Sequence, residues 1–171
     1  AGAVCLQGIE TDEPVGILSS ALHAKGELAE SLTTELPASR ENPRINKAMI
    51  DGARHYPSMA GKVIFREAVQ KLPEVTMDVL AKSGLSKDDI DLYIPHQANM
   101  RINQFFQRSM GLPEEKVFHN IQRYGNTTAG SIPIALDEAL ELGIIGNGST
   151  VLFLGLGAGV TWGAVVYRFE S

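Results

Sequence analysis

The sequence predicts a layered α/β domain in which a mixed sheet carries helices on both faces. Segments with strand character alternate with helical segments in the order β-β-α-β-α-β-α-β-β. This alternation is typical of layered α/β folds, where helices cover a sheet whose strands are not all parallel. The 171 residues, 44% of them hydrophobic and 20% charged, are enough for one ordinary domain with its own core.

Residues 1–60 are predicted to hold two initial strands and a long loop. The apolar runs at residues 3–6 and 15–23 flank the turn-rich sequence ETDEP and have strand character. Residues 24–60 contain three prolines and little periodicity, which indicates a long loop. Because the chain starts without methionine and enters an apolar run at once, we expect further sequence upstream of Ala1.

Residues 61–171 are predicted to hold the helices and the remaining strands. Apolar residues at helical spacing indicate a helix from residue 61 to about residue 80. Pro73 removes a backbone hydrogen bond, so this run should form two helices or one kinked helix. The residues expected on its buried side are Val63, Ile64, Val69 and Leu72, while Lys62 and Arg66 share the exposed side.

A strand at residues 90–94 leads to a second helix, predicted over residues 99–110 and ended by Gly111. The residues that can face a core are Ile102, Phe105, Phe106 and Met110. Arg101, Gln104 and Arg108 fall together on the opposite side of this helix.

The last part of the chain is predicted to contain one helix and three strands. A short strand at residues 117–119 is followed by a polar stretch. Ser131 is then positioned to cap a helix at residues 132–142, which has a proline in its first turn. Strands at residues 150–154 and 163–169 close the chain around a glycine-rich loop.

Composition excludes several functional classes. A formal net charge of -5 argues against a nucleic-acid-binding protein. No apolar run approaches the length of a transmembrane helix, so we expect no membrane insertion. With one cysteine, no internal disulfide is possible, and no Cys/His cluster has the spacing of a zinc site. A single cysteine favours a reducing compartment, and we expect a cytoplasmic protein.

His96 is the first candidate for chemistry because it lies in the sequence PHQAN, between the end of a predicted strand and the start of a helix. Open α/β sheets bind ligands at such strand ends. The helix N-terminus would also favour the neutral imidazole over the cation. A single histidine is more often structural, however, and we interpret His23, His55 and His119 in that way because they lack a comparable setting.

Two loops are further candidates, although each also has a purely structural interpretation. GLGAGVTWG (155–163) suggests a dinucleotide site, but a strand follows its glycines where that site requires a helix. A tight strand–loop–strand corner remains, whose backbone amides can approach a ligand. YGNTTAGS (124–131) can be a simple turn. A functional Asn126 would instead present its amide N–H to a carbonyl oxygen.

Cys5 is a weak candidate for a nucleophile. It lies inside an apolar run, and its sequence neighbours include no basic residue or helix start that would lower the pKa of its thiol. We therefore expect a small buried core residue.

PHQAN after a strand, YGNT before a helix and GLGAGVTWG between the last strands form a more specific combination than any one of them. With these motifs, and with AGAV at the start and MAGKVIFREAV at 59–69, the chain closely resembles the C-terminal half of β-ketoacyl-acyl-carrier-protein synthase III. This family of condensing enzymes belongs to the thiolase superfamily. The resemblance covers nearly the whole chain and is densest over residues 93–169. It implies one half of a duplicated, thiolase-like α/β/α fold.

The resemblance also implies a Cys–His–Asn triad, in which His96 and Asn126 match the histidine and the asparagine. The nucleophilic cysteine of the family lies on a buried helix of the N-terminal half, upstream of Ala1. Cys5 matches a strand position instead. The chain would then be the C-terminal part of a synthase about twice its length, and inactive alone. A natural half whose partner subunit supplies the cysteine is the other possibility.

Further site residues follow from the same resemblance. Ala158 matches the backbone amide of the oxyanion hole, where many members have glycine. The residues that match the lining of the coenzyme A tunnel and its gate are Gly61, Lys62, Asn99 and Leu156. Lys62 stands where asparagine is expected, and Leu156 where phenylalanine is common. Arg101 matches the contact with acyl carrier protein, and the absence of acidic residues from 96 to 113 offers an acidic partner a basic surface.

The implied reaction is a decarboxylative condensation of an acyl-coenzyme A starter with malonyl-acyl-carrier-protein, which initiates fatty acid or polyketide synthesis. No cofactor is expected, and the implied partners are acyl carrier protein, acyl-coenzyme A, the N-terminal half and a second copy in a full-length homodimer. Two alternatives remain open: a non-catalytic module that docks acyl carrier protein, and a thiolase-fold acyltransferase that forms no carbon–carbon bond. The presence of both His96 and Asn126 favours condensation over docking, because docking needs neither residue.

Overall fold

Six strands form two sheets in the computed structural model, which describes residues 1–170. The strands are β1 (Gly16–Ala24), β2 (Leu32–Thr34), β3 (Pro57–Met59), β4 (Leu92–Pro95), β5 (Thr150–Gly157) and β6 (Thr161–Arg168). The main sheet has the order β1-β6-β5-β4, and β2 pairs with β3 in a small separate sheet. β4 and β5 run parallel, whereas the other neighbouring strands run antiparallel. The predicted mixed sheet is confirmed.

Residues 1–170 form five helices, of which one is long, two have about three turns and two have about one turn. They are α1 (Lys47–Asp51), α2 (Gly61–Ser83), α3 (Met100–Met110), α4 (Ile121–Tyr124) and α5 (Ser131–Glu141). α2 continues through Pro73, so a single helix is observed rather than two. Burial of Leu72 and Val75 on either side of the proline stabilises both halves, which offsets the lost hydrogen bond. Within residues 1–170, no helix is both long enough and apolar enough to cross a membrane.

Helices pack on both faces of the main sheet, as the sequence predicts. Side chains of successive strand residues point to opposite faces, and β4 and β5 accordingly contribute to two cores. Tyr93, Leu152 and Leu154 belong to the core formed with α2 and α3. The core on the other face, formed with α5, comprises Leu92, Ile94, Phe118, Ala135, Ala139, Ile145 and Val151. All four residues of β4 are buried, which explains why this strand is apolar throughout.

α3 has the predicted ends but not all of the predicted buried face. The side chain of Asn99 caps its first turn, and Gly111 ends it in the left-handed conformation. Phe106 and Met110 are buried, but the prediction for Phe105 is wrong, since it is 38% exposed. Phe105 lies one turn from Arg101 on the exposed side of α3 and packs edge-to-face on Phe65 of α2.

The structure contradicts the first predicted strand. Residues 3–6 form no strand and are exposed, and Cys5 is exposed as well rather than part of a core. A strand needs a partner for its backbone hydrogen bonds, and neither β1 nor β4, the two edges of the main sheet, pairs with this segment. At the start of the chain, Gly2 lies against Pro133 of α5 instead.

The predicted long loop at residues 24–60 contains short elements. A 3-10 turn, the β2–β3 pair and α1 all fall inside it. Asn46 caps α1 through its side chain, which accepts a hydrogen bond from the Met49 amide at 3.0 Å. The Arg54 guanidinium binds the Glu35 carboxylate at 2.5 Å and so joins the residue after β2 to the segment before β3. These contacts are polar and local. Such contacts produce no apolar periodicity, so the sequence does not reveal these elements.

The last two strands form a hairpin that extends further into the glycine-rich motif than the sequence suggests. Residues 155–157 and 161–163 are paired within β5 and β6, which leaves only residues 158–160 as the turn. Val160 is buried in this turn, and its amide and carbonyl bond to the carbonyl and amide of Lys25, at 3.2 and 2.8 Å. The Lys25 ammonium in turn binds the Glu67 carboxylate of α2 at 3.3 Å. The strand after the glycines confirms that this is no dinucleotide motif.

Gly163 allows the close approach of β1 to β6. A Cβ at this position would lie 2.5 Å from Leu22 Cδ2 and 2.8 Å from the Ala21 carbonyl oxygen. We expect Gly163→Ala to lower the free energy of unfolding by ~1–3 kcal/mol, the usual cost of overpacking, as measured by denaturant titration. Gly157→Ala is the control, because its Cβ would have no neighbour closer than 4.0 Å. Equal effects of the two substitutions would contradict this explanation.

Candidate active site

His96 lies in the three-residue connection between the end of β4 and the Asn99 cap of α3. Its backbone N–H donates to the Leu154 carbonyl at 2.8 Å, so the pairing of β4 with β5 extends to the histidine. The residue is partly buried, and burial lowers the pKa of His96 below its ordinary value. The imidazole is therefore neutral at neutral pH, as the sequence indicates.

The Ser131 hydroxyl contacts the His96 ring directly. Ser131 Oγ lies 2.6 Å from His96 Nδ1 and accepts a hydrogen bond from the Gln97 amide at 3.1 Å. Ser131 was predicted to be the N-cap of the helix, but it is the first residue of α5, and Gly130 stands at the cap. Its hydroxyl is engaged by the His96 loop and makes no capping bond.

The C-terminal part of β5 also lies beside His96. An added Cβ at Gly155 would lie 3.4 Å from His96 Cβ and 3.8 Å from Ile132 Cδ1. The end of β5, the histidine and the start of α5 therefore lie next to one another. Ser131, in the motif YGNTTAGS, and Gly155, in the motif GLGAGVTWG, thus both lie beside His96. Both residues are far from His96 in the sequence.

Asn126 follows α4 in an exposed loop and has a defined side-chain orientation. Its Oδ1 accepts a hydrogen bond from the Thr128 amide at 2.8 Å. Because that bond fixes the oxygen, the NH2 group of Asn126 is turned away from Thr128. Within residues 1–170 this NH2 group has no hydrogen-bond acceptor, and it is available to a ligand. Asn126 lies five residues before Ser131, whose hydroxyl contacts His96.

Gln97 fixes the loop that carries His96. This side chain is 1% exposed, and its amide donates to the carbonyls of Pro95 and Phe118 at 2.8 and 3.1 Å. Its Oε1 accepts from the Asn120 amide at 3.3 Å. The Asn120 side chain donates in turn to the Glu138 carboxylate at 2.9 Å. No local pattern marks these residues in the sequence, because each acts only through contacts between distant segments.

Ala158 and Leu156, the other residues of the glycine-rich motif with predicted roles, lie at the tip of the β5–β6 hairpin and just before it. Ala158 is exposed, and its carbonyl accepts a hydrogen bond from the Thr161 hydroxyl at 3.0 Å. This bond orients the turn. Leu156 is partly buried in β5, opposite Trp162, and packs against the core under α2.

The predicted tunnel and docking residues lie at the starts of α2 and α3. Gly61 and Lys62 begin α2 and are exposed, as are Asn99 and Arg101 at the start of α3. The side chains of Arg101, Gln104 and Arg108 are all on exposed positions, which confirms the predicted face of this helix. The exposed Phe65–Phe105 pair, with ring centroids 6.3 Å apart, joins the two helices beside this face.

His23 and His55 have contacts that fit a structural interpretation, whereas both ring nitrogens of His119 are buried without a hydrogen-bond partner among residues 1–170. His23 stacks on Trp162 and lies 3.6 Å from the Asp78 carboxylate. His55 packs on Tyr56, and His119 is partly buried. Among the described residues, no group of three or more His, Cys, Asp or Glu side chains is arranged to hold a metal ion.

Similar known proteins are 3-oxoacyl-[acyl-carrier-protein] synthases III, also called β-ketoacyl-[acyl-carrier-protein] synthases III. The family described as 3-oxoacyl-[acyl-carrier-protein] synthase III, C terminal, matches residues 80–169. A β-ketoacyl-[acyl-carrier-protein] synthase III from Roseiflexus castenholzii is 41% identical over the whole chain, which covers 51% of that protein.

Two crystal structures of 3-oxoacyl-[acyl-carrier-protein] synthase III are similar in fold. The protein from Aquifex aeolicus is 38% identical, with a TM-score of 0.79 over 94% of this chain and 46% of that one. The protein from Thermus thermophilus is 37% identical, with a TM-score of 0.82 over 94% of this chain and 48% of that one. The chain thus spans about half the length of these relatives and has one half of their thiolase-like fold. The family match covers more than half of the chain, which therefore belongs to the 3-oxoacyl-[acyl-carrier-protein] synthase III C-terminal family.

Proposed function

We propose that this chain supplies the histidine and the asparagine of a condensing enzyme that joins an acyl-coenzyme A starter to malonyl-acyl-carrier-protein. A neutral donor on each of the two residues supports the proposal. Burial keeps His96 neutral, and the bond from the Thr128 amide leaves the Asn126 NH2 group free for a ligand oxygen. A nucleophilic cysteine from the N-terminal half completes the triad.

In the condensing step, the malonyl carbon–carbon bond breaks and carbon dioxide leaves. Its bonding electrons form an enolate whose negative charge develops on the thioester oxygen. N–H groups of His96 and Asn126, directed at that oxygen, stabilise the charge as it forms. The enolate carbon then attacks the acyl thioester on the cysteine, and the cysteine leaves as a thiolate. The Ala158 amide would stabilise the oxyanion of that second carbonyl.

Substrate contacts are proposed at the starts of α2 and α3. Gly61, Lys62 and Asn99 would line the coenzyme A tunnel, with Leu156 as its gate, and all but Leu156 are exposed. An ammonium at Lys62 can bind a phosphate of coenzyme A where an asparagine could only donate a neutral hydrogen bond. Arg101 would contact acyl carrier protein, since the exposed cations of α3 attract an acidic partner.

A module that only docks acyl carrier protein is the second candidate function. The exposed face of α3 favours it, because docking requires a basic surface and no catalytic group. The partly buried contact between Ser131 and His96 favours condensation, since a docking surface has no need of an oriented imidazole.

The paired donors can be tested in the full-length protein. We expect His96→Ala and Asn126→Ala each to slow malonyl decarboxylation by about a hundred- to a thousandfold, the usual cost of one oxyanion donor. Acylation of the cysteine should suffer less, and the double substitution should cost less than the product of the two. Carbon dioxide release and burst-phase acylation are measured separately, with His55→Ala as the histidine control. Normal decarboxylation in Asn126→Ala would rule out the pair.

Docking can be tested through the charge of Arg101. We expect Arg101→Ala to weaken the affinity for acyl carrier protein, and added salt to weaken wild-type binding as well. Titration calorimetry with Arg101→Lys, which keeps the charge, and with Gln104→Ala, which removes an uncharged side chain from the same face, provides the controls. Equal affinities of wild type and Arg101→Ala would remove this residue from the interface.

The proposed division of the triad predicts that the 171-residue chain alone forms no acyl-enzyme. Its one cysteine, Cys5, is exposed and lies outside the helices and strands of residues 1–170. Intact-protein mass spectrometry after incubation with acyl-coenzyme A should therefore show the unmodified mass. A stable adduct that disappears in Cys5→Ser would show that Cys5 is the nucleophile.

A further inference from the structure

Ser131 is a buried residue whose hydroxyl has two partners and both belong to the loop of His96. Ser131 is only 2% exposed. Oγ lies 3.1 Å from the Gln97 amide nitrogen and 2.6 Å from His96 Nδ1. Within residues 1–170 it has no third partner. The donors and acceptors of the Ser131 hydroxyl, the His96 Nδ1 atom and the Gln97 amide can therefore be matched with one another.

The count depends on the tautomer of the imidazole. A hydroxyl has one proton and two acceptor lone pairs, and the Gln97 N–H occupies one of the lone pairs. If Nδ1 carried the ring proton, Oγ would accept both N–H groups, and the buried hydroxyl proton would have no acceptor. If Nδ1 is unprotonated, the Ser131 O–H donates to it, and every group is satisfied. Leaving a buried donor unpaired is the more costly arrangement.

The Gln97 amide cannot readily turn away from Ser131, because the loop is fixed on both sides. The buried Gln97 side chain bonds to Pro95 and Phe118, and the His96 amide bonds to Leu154. The lone pair that Ser131 gives to Gln97 is thus committed. We propose that Ser131 is a positioning residue that holds His96 in the tautomer with its proton on Nε2, and so makes Nε2 the nitrogen that can donate to a ligand.

The catalytic consequence of this assignment rests on the proposed function, whereas the tautomer does not. A neutral imidazole can stabilise a developing enolate only through the nitrogen that carries the proton. With Nδ1 occupied by Ser131, that nitrogen is Nε2. Without the hydroxyl, both tautomers become accessible, and a fraction of the molecules would present a lone pair to the negative oxygen, which repels it.

The tautomer can be read by NMR on the full-length protein labelled with 15N-histidine, in which the two neutral tautomers give different nitrogen shifts. We expect the Nε2–H form of His96 in the wild type, an appreciable share of the Nδ1–H form in Ser131→Ala, and the Nε2–H form again in Ser131→Thr, which keeps the hydroxyl. The signals of His23, His55 and His119 in the same spectra show whether each variant is folded. A wild-type Nδ1–H form, or no change in folded Ser131→Ala, would overturn the proposal. If Ser131→Ala does not fold, the wild-type spectrum alone decides.

Kinetics separate this proposal from the proposed function. We expect Ser131→Ala to lower kcat for malonyl decarboxylation by about ten- to a hundredfold with little change in KM, less than the loss of a whole donor in His96→Ala. Ser131→Thr should restore most of the rate. If the spectra show the expected tautomers but neither Ser131→Ala nor His96→Ala slows decarboxylation, the proposed function fails while the tautomer assignment stands. A larger effect on KM than on kcat in Ser131→Ala would contradict the positioning role.

Discussion

The parallel pairing of β4 with β5 is the interaction on which the candidate site depends. Two parallel strands end at the same edge of a sheet, and their connection must cross back over one face. Here the pairing runs from Leu92 opposite Val151 to Pro95 opposite Leu154, and the His96 amide continues it. The ends of the two strands therefore bring His96 next to Gly155. Buried apolar residues on both faces of β4 hold the strand in this register, since a slip by one residue would exchange its two faces.

The crossover from β4 to β5 delivers α5 to that edge. Ala135 and Ala139 pack in the core beneath Leu92 and Ile94, and their small side chains allow the helix to lie close to the strand. Ser131, at the first turn of α5, then reaches the His96 ring, while Glu138, two turns later, binds Asn120. A single helix thus fixes the histidine loop at one end and the segment before Asn126 at the other. Both site loops depend on how this helix packs.

Much of this arrangement is predictable because local patterns specify it. The apolar run of β4, the Gly111 end of α3, and the strand character of residues 150–154 and 163–169 are all visible in the sequence and all present in the structure. The motifs around His96 and Asn126 point to the family, and the similarity to known proteins confirms that membership.

Other features depend on contacts between distant segments and leave no such pattern. The run at residues 3–6 has strand composition, but composition does not provide a pairing partner. Ser131 has the sequence context of an N-cap, yet its hydroxyl bonds to a loop 34 residues earlier in the chain. Phe105 is apolar but lies on the exposed side of α3, where only the neighbouring Phe65 explains it. In each case tertiary contacts decide against the local preference.

The reciprocal bonds between Val160 and Lys25 have a mechanical consequence. They anchor the hairpin tip, with Ala158 two residues away, to the end of β1. Lys25 is also held by Glu67, which lies in the second turn of α2. The tip and the start of that helix therefore share one anchoring residue, and neither can shift far without stretching the reciprocal bonds or separating the ion pair. A backbone amide at this tip is held in place before any ligand arrives, so little free energy would be spent on ordering it in the proposed oxyanion hole.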